Sequence, residues 1–275
     1  MEIFTNNSSI SERPDVKNQD LIINGKLKNG SIWYLVADGH GKNTVISKLR
    51  NLDYCKIMEN KDPVEEINRE INSLPNTFNS GSTISLVIIS NEKISCYWRG
   101  DSTIKIWEGS QEIFKSENHD DTNEKEVTRM KDLDIPTIDG WCPKIISSDT
   151  LTMIKKKYFV LDVEESTGKV DQVNMTNCIG HNNKSYGETQ EYHVTMKPSV
   201  EYTTIVASDG LWDIVAPTDN LQDFNEATDI CHFALERWNQ EWNYEFPGEE
   251  TVKQKLGGKD DICVALWKGG TMSNE

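Results

Sequence analysis

The sequence predicts one α/β domain spanning residues 1–275, built from antiparallel sheets with helices packed outside them. Three observations carry this expectation. Short β-rich runs recur along the chain and are separated by Gly, Asn or Asp turns, and neighbouring runs at short spacing pair antiparallel. Two amphipathic stretches have helical periodicity and would lie outside the sheets. No internal repeat, low-complexity tract or Pro/Ser-rich linker marks a boundary between domains.

In chain order the strand candidates are DLIINGKL, SIWYLVA, TISLVIIS, KISCYWRG, STIKIWEG, KYFVLDV, YTTIVAS and DICVALW. The first helical stretch runs from NTVISKLRNLDYCKIM through PVEEINREINSL, and the second is NEATDICHFALERWNQEW. Between about Ser116 and Tyr192, acidic and Asn-rich pieces such as SENHDDTNEKE and CIGHNNKSYGETQ interrupt the pattern. Long connections of this kind are usually functional, so specificity elements are expected there.

Composition narrows the function. With 36% apolar and 27% charged residues the chain is of globular type. A net charge of −16 with no Lys/Arg-rich block argues against nucleic acid and anionic membrane surfaces as partners. The start MEIFTNNSSISERPD has no basic segment followed by an apolar one, and no apolar run approaches membrane-spanning length. A cytoplasmic monomer is expected, with the nucleus open to it and secretion not. The six cysteines have no CxxC pair or zinc-finger spacing, as suits reduced thiols, and the sequons at Asn6, Asn7 and Asn174 are then plain polar surface.

The informative pattern is one of isolated acids at strand ends beside small residues. Asp38 stands in VADGHG, Asp101 in WRGDST, Asp209 in IVASDGLWD, and Asp260 and Asp261 in GGKDDICVALW. Glycine beside an acid lets the backbone turn sharply and lets an ion approach. Each motif alone could be a turn or a helix cap. Gathered together, the acids would repel one another unless cations sat among them, and hard Mg²⁺ or Mn²⁺ prefers such oxygens.

In this order the pieces resemble the metal-dependent serine/threonine phosphatases of the protein phosphatase 2C (PPM) family, from about residue 17 to residue 267. KNQD resembles the family's first acidic motif and VADGHG its Asp-Gly-His-Gly signature. NSGSTISLVI, WRGDST, ASDGLWDIV and KDDICVAL resemble the four motifs that follow. The resemblance implies a four-layer α-β-β-α sandwich with a metal cluster at one edge of the sheets. It also implies hydrolysis of phosphoserine and phosphothreonine in phosphorylated protein substrates, with two Mn²⁺ or Mg²⁺ ions and room for a third.

Carried over residue by residue, the resemblance gives Asp38 as a bridge between two ions and Gly39 as a carbonyl ligand. Asp209 and Asp260 hold the second ion, and Asp101 and Asp213 a weaker third. Two ions roughly 3.5–4 Å apart acidify a water between them. His40 would then be the general acid for the leaving alkoxide, since an imidazole with a pKa near ~6.5 is partly protonated at neutral pH. Ser82 and Thr83 would support the metal site.

The chain departs from the family at several places. Gln19 stands before Asp20 where Glu is common; both are expected to act through waters around the ions. The arginine that grips substrate phosphate would fall on Asp15, leaving Arg13 or Lys17 to substitute, and lysine lacks the bidentate fork. NCIGH, Asn177 to His181, replaces an Arg-x-x-Gly-Asp segment, so the adjoining flap is expected to behave differently. Asp261 stands where many members have Asn, a harmless exchange.

Rival readings are weaker. CHFALER, Cys231 to Arg237, has the Cys-x5-Arg spacing of cysteine-dependent phosphatases but no glycines to cradle a phosphate, and it reads as helix. His119, His181, His193 and His232 share no ligand spacing and are expected in solvent or loop roles. Trp33, Trp98, Trp212 and Trp267 fall on or just after strands and suit the core. A metal phosphodiesterase or nuclease conflicts with the acidic balance. The remaining alternative is a catalytically silent module of the same fold that docks onto signalling partners.

Overall fold

Two five-stranded antiparallel sheets pack face to face in the computed structural model, which describes residues 4–10, 18–185, 187–246, 250–257 and 259–270. The first sheet runs Phe4–Ile10, Ile262–Gly270, Glu201–Ala207, Thr103–Glu108, Gln111–Lys115. The second runs Gln190–Thr195, Lys93–Arg99, Ile84–Ile89, Ile32–Ala37, Leu21–Lys26.

The continuous apolar run of Ile32–Ala37 follows from burial on both faces. Tyr34 and Val36 point between the sheets, where they meet Val206, Cys263 and Trp267. Trp33, Leu35 and Ala37 point outward beneath the helices Thr44–Leu49, Tyr54–Ile57 and Pro63–Asn72. The strand Ile262–Gly270 alternates likewise: Cys263, Ala265 and Trp267 face the central layer, while Ile262, Val264 and Leu266 face the helix Ala227–Asn239. Period-two alternation thus assigns each side chain to a layer, and the layers are helix, sheet, sheet, helix. This is the predicted α-β-β-α sandwich.

The long helical stretch expected after Asn43 divides into three. Asp53 and Asp62 each accept a backbone N–H three residues on and start new helices, the second with Pro63 in its first turn. CHFALER lies inside the helix Ala227–Asn239, with Cys231 in the outer core and Arg237 paired to Asp219 at 2.7 Å.

The region read as irregular holds more order than expected. Glu124–Asp132 is a helix whose first turn donates backbone N–H groups to the Asn123 side chain. Thr137–Ile145 and Thr150–Glu164 form a long hairpin, extended by Lys169–Val173 and, across a short parallel pairing, by Glu241–Glu245 and Val252–Lys255. This third sheet rests on small cores of its own around Phe159 and Trp242.

A ribbon of three very short strands matters most for the site. Gly39–Gly41 and Ile179–Gly180 flank Ser80–Ser82 on either side, and His40 and Gly180 both pair with Gly81.

Candidate active site

The acids predicted to converge do so because their motifs are stitched together by backbone. Asp38 N–H donates to Thr83 Oγ1 and Thr83 N–H to the Asp38 carbonyl, each at 2.9 Å. Thr83 Oγ1 lies 2.6 Å from Ser102 Oγ, tying the turn of Asp101 to the strand beside Asp38. On the other sheet, Ser208 Oγ donates to Asp20 Oδ2 at 2.6 Å and accepts Cys263 N–H at 3.1 Å. Gly210, opening the turn after Asp209, lies so close to the Asp261 carbonyl that a β-carbon there would overlap it. Thr83 thus bridges the Asp38 and Asp101 turns, while the Ser82 side chain donates to the Thr83 carbonyl at 2.8 Å.

The electrostatics record how crowded the acids are. Burial pushes the Asp38 carboxyl well above the usual carboxylate range, and Asp209, Asp20 and Asp260 push it further. Burial also lifts Asp20; the Ser208 hydrogen bond opposes this, while Asp209, Asp260 and Asp261 add to it. Asp101 is raised to about 7 by burial and then by Asp209, with Lys156 pulling the other way. Asp213 sits at the open side of the group.

Gln19 and Asp20 lie beside the cluster. Gln19 donates its backbone N–H to Asp261 Oδ2 at 3.3 Å and its carbonyl accepts Gly39 N–H at 3.2 Å. Asp261 is thereby tied into the backbone around Gly39. Arg13 and Lys17 lie outside the described residues.

Two residues that sequence reasoning missed enter the site. Lys156, from the hairpin strand Thr150–Glu164, stands among the acids expected to hold a third ion. Burial works against its charge, but Asp101, Asp213, Asp120 and Asp209 outweigh that and hold the ammonium above the ordinary lysine range. Nothing in the run KKK at 155–157 distinguishes it in sequence. The same hairpin walls a groove of about 1100 Å³, lined by Trp141, Met153, Tyr158 and Tyr244, with Asp213 and Asp260 on its lining as well.

The second is His181, and here the expectation of a solvent or loop role is corrected. Its side chain is 1% exposed and bonds Asp171 through Nδ1 at 2.7 Å and His40 Nδ1 through Nε2 at 2.9 Å. The short ribbon carries His181 to His40 across 141 residues of sequence, which no local spacing reveals. Burial, the largest single influence, would lower the His181 pKa, but Asp171 and Cys178 together outweigh it and raise it to about 9. His40 is the reverse: burial, then the adjoining His181, hold its ring well below the ordinary imidazole range. The fold thus disfavours charge on His40, expected to be partly protonated, and favours it on the inner ring. His119 is also buried, accepting Gly100 N–H at 3.0 Å.

Known proteins give this geometry a family. Residues 42–230, more than half of the chain, match the family model described as protein phosphatase 2C. The chain belongs to the protein phosphatase 2C family. No curated protein matches it by sequence. Among solved structures, a C. elegans sex determining protein is similar at 15% identity and a TM-score of 0.64, over 98% of this chain and 65% of that one. The S. agalactiae serine/threonine phosphatase is similar at 19% identity and a TM-score of 0.60, over 96% of this chain and 98% of its own. The catalytic domain of the serine/threonine phosphatase PstP, in complex with two manganese ions, follows at 14% identity and a TM-score of 0.54, over 98% of each chain. At these identities the likeness is one of fold.

Whether this phosphatase 2C domain suits a divalent cation is a question for its own donors. Asp101 Oδ1 and Asp209 Oδ1 are buried with no hydrogen-bond partner among the described residues. A buried carboxylate oxygen left so is costly, and an all-oxygen set fits hard cations such as Mg²⁺ or Mn²⁺. The residues fit the ions.

Proposed function

We propose that this chain is a single catalytic domain that hydrolyses phosphoserine and phosphothreonine esters of proteins with Mn²⁺ or Mg²⁺. The observation that carries the reading is the group of crowded carboxyls around Asp209, with carboxylate oxygens left unpartnered inside it. Asp38, the Gly39 carbonyl, Asp209 and Asp260 would hold two ions, which when bound acidify water and offset the charge of a phosphate. Lys156 supplies a fixed positive charge beside Asp101 and Asp213, where a third ion would otherwise be needed.

The chain's own groups do the rest. His40 Nε2 is buried and has no partner among the described residues, so it is free to donate a proton to a leaving alkoxide. Gln19 and Asp20 fix the backbone of Gly39 and the Ser208 turn from which Asp209 projects. Arg13 or Lys17 would hold the substrate phosphate, and the apolar groove beside Asp213 and Asp260 would take the peptide flanking it. A catalytically silent docking module is the weaker reading, because a set of mutually repelling acids destabilises a fold that has no use for them.

Phosphate release from a phosphothreonine peptide tests this, in Mn²⁺ and in EDTA, beside Asp209→Ala. Release that needs Mn²⁺ and is lost in the variant is expected. A folded chain silent in both conditions would overturn the proposal.

A further inference from the structure

We propose that Asp171 and His181 are positioning residues for His40, forming with it a buried relay that fixes its ring and returns the proton it gives to the leaving group. This rests on the phosphatase reading above and adds two residues to it.

The geometry is specific. Asp171 is 0% exposed and both its oxygens are used: Oδ1 meets His181 Nδ1 at 2.7 Å and Oδ2 accepts Asn79 N–H at 2.9 Å. A carboxylate only accepts, so His181 Nδ1 carries the hydrogen and the tautomer of that ring is set. His181 Nε2 and His40 Nδ1, 2.9 Å apart, then share one proton, and the two rings lie nearly parallel at 10° with centroids 4.7 Å apart. The outer end of the chain is His40 Nε2, which no described group satisfies.

The backbone is shaped around this contact. Gly81 pairs with His40 on one side and with Gly180 on the other, and a β-carbon there would overlap both imidazoles. His181 itself has φ 48°, in the left-handed region that side-chain-bearing residues seldom occupy. It is held there by Asn182, whose N–H donates to Thr77 Oγ1 at 2.7 Å and whose Oδ1 accepts Thr77 N–H at 2.8 Å. An outlier kept in place by such bonds is the kind that accompanies function.

A metal is the competing use of these groups, since Cys178 lies within 4.8 Å of both imidazole nitrogens. Two nitrogens on one tetrahedral zinc at ~2.0–2.1 Å lie about 3.4 Å apart. The observed 2.9 Å is a hydrogen-bond separation, and Cys178 Sγ is engaged with Ser185 Oγ at 2.9 Å.

As the phosphorus–oxygen bond to the substrate breaks, the His40 Nε2–H bond breaks and an O–H bond forms on the departing oxygen. His40 Nδ1 takes the Nε2 proton of His181, while Asp171 keeps its bond to Nδ1–H. The pair delivers one proton, and the attacking water, which releases one, restores it.

The test compares leaving groups within one variant. Threonine leaves as an alkoxide and needs the proton; p-nitrophenolate does not. For Asp171→Asn and His181→Gln, kcat on a phosphothreonine peptide should fall roughly 10²-fold, the lower end of what a positioned proton donor contributes. On p-nitrophenyl phosphate the fall should be no more than a few-fold, and His40→Ala should show the same split. Loss of folded protein would lower both rates equally, so equal losses, or none, overturn the relay while leaving the phosphatase reading intact. Wild-type protein inactive on both substrates would overturn that reading, and the relay with it. Long-range ¹H–¹⁵N spectra of the imidazoles give a readout apart from activity: resting His181 should carry hydrogen on both Nδ1 and Nε2, changed in Asp171→Asn, and a ring with hydrogen on only one nitrogen would contradict the relay.

Discussion

Asp101 and Asp171 are buried alike, at 3% and 0% exposure, and they keep opposite company. Asp171 has an imidazole and a backbone N–H on its two oxygens, so its charge is compensated within the fold. Asp101 has an oxygen with no partner among the described residues, and burial and then a second acid, Asp209, push its carboxyl up to about 7 against the pull of Lys156. The first arrangement is complete in the polypeptide. The second is compensated within the fold only in part, by Lys156, and on the proposed reading divalent cations supply the rest, which is what separates a structural ion pair from a candidate binding site.

The largest effect expected from breaking this contrast is at Asp38. Asp38→Asn should lower phosphothreonine hydrolysis by more than about 10²-fold, the scale of losing one charge-stabilising group at a reacting centre. In EDTA the same variant should unfold at a higher temperature than wild type, because it removes a charge that burial and three other acids disfavour. A fall in the EDTA melting temperature would show that the acids do not repel as described. Asp171→Asn should do the reverse, lowering stability with or without metal.

Gly81→Ala comes next. Its methyl group would overlap the His40 and His181 rings, and overpacking of this kind costs about 1–3 kcal/mol. Urea unfolding measures that loss, and the peptide activity should fall with it.

His181 gives a smaller, pH-dependent effect. Its pKa is raised on folding, from about 6.5 to about 9, so the stability it contributes is fully present below pH ~6.5 and is lost as pH rises through 9. Asp171, Cys178 and His40 are the titratable groups that face it. The gap in urea midpoint between wild type and His181→Gln, measured in EDTA, should therefore narrow from pH 6 to pH 9.5. A gap that widens would reverse the assignment.

The smallest stability effect is on the hairpin. Trp141 is 62% exposed, and its replacement by Ala should change folding free energy by no more than about 0.5 kcal/mol. Because Trp141 walls the groove beside Asp213 and Asp260, the variant should raise KM for peptide substrates and leave p-nitrophenyl phosphate turnover unaltered. Equal KM values would place peptide recognition elsewhere.

Sequence made some of this visible and hid the rest for physical reasons. Strands buried on both faces, Ile32–Ala37 and the first part of Ile262–Gly270, are apolar runs that abut the acids' motifs, and both sheets and acids could be read from them. The edge strand Phe4–Ile10, FTNNSSI, pairs along one side only, and its polar letters carry no period. In the helix Glu124–Asp132 only Met130 is buried, so there was little apolar signal to find. Lys156 is one of three consecutive lysines, and the pairing of the hairpin decides which of them turns inward. His181 came into view as a departure from the family's Gly-Asp ending, but its partner His40 is set by the register of the short ribbon, which side-chain type does not encode.

Whether Asp38, Asp209 and Asp260 form a site for divalent cations is read by calorimetric titration of Mn²⁺ into the metal-free chain. About two bound ions are expected, as a two-metal site requires, with proton release on binding and loss of binding in Asp38→Asn. Absence of binding to the wild-type chain, or binding that Asp38→Asn leaves unchanged, would contradict it.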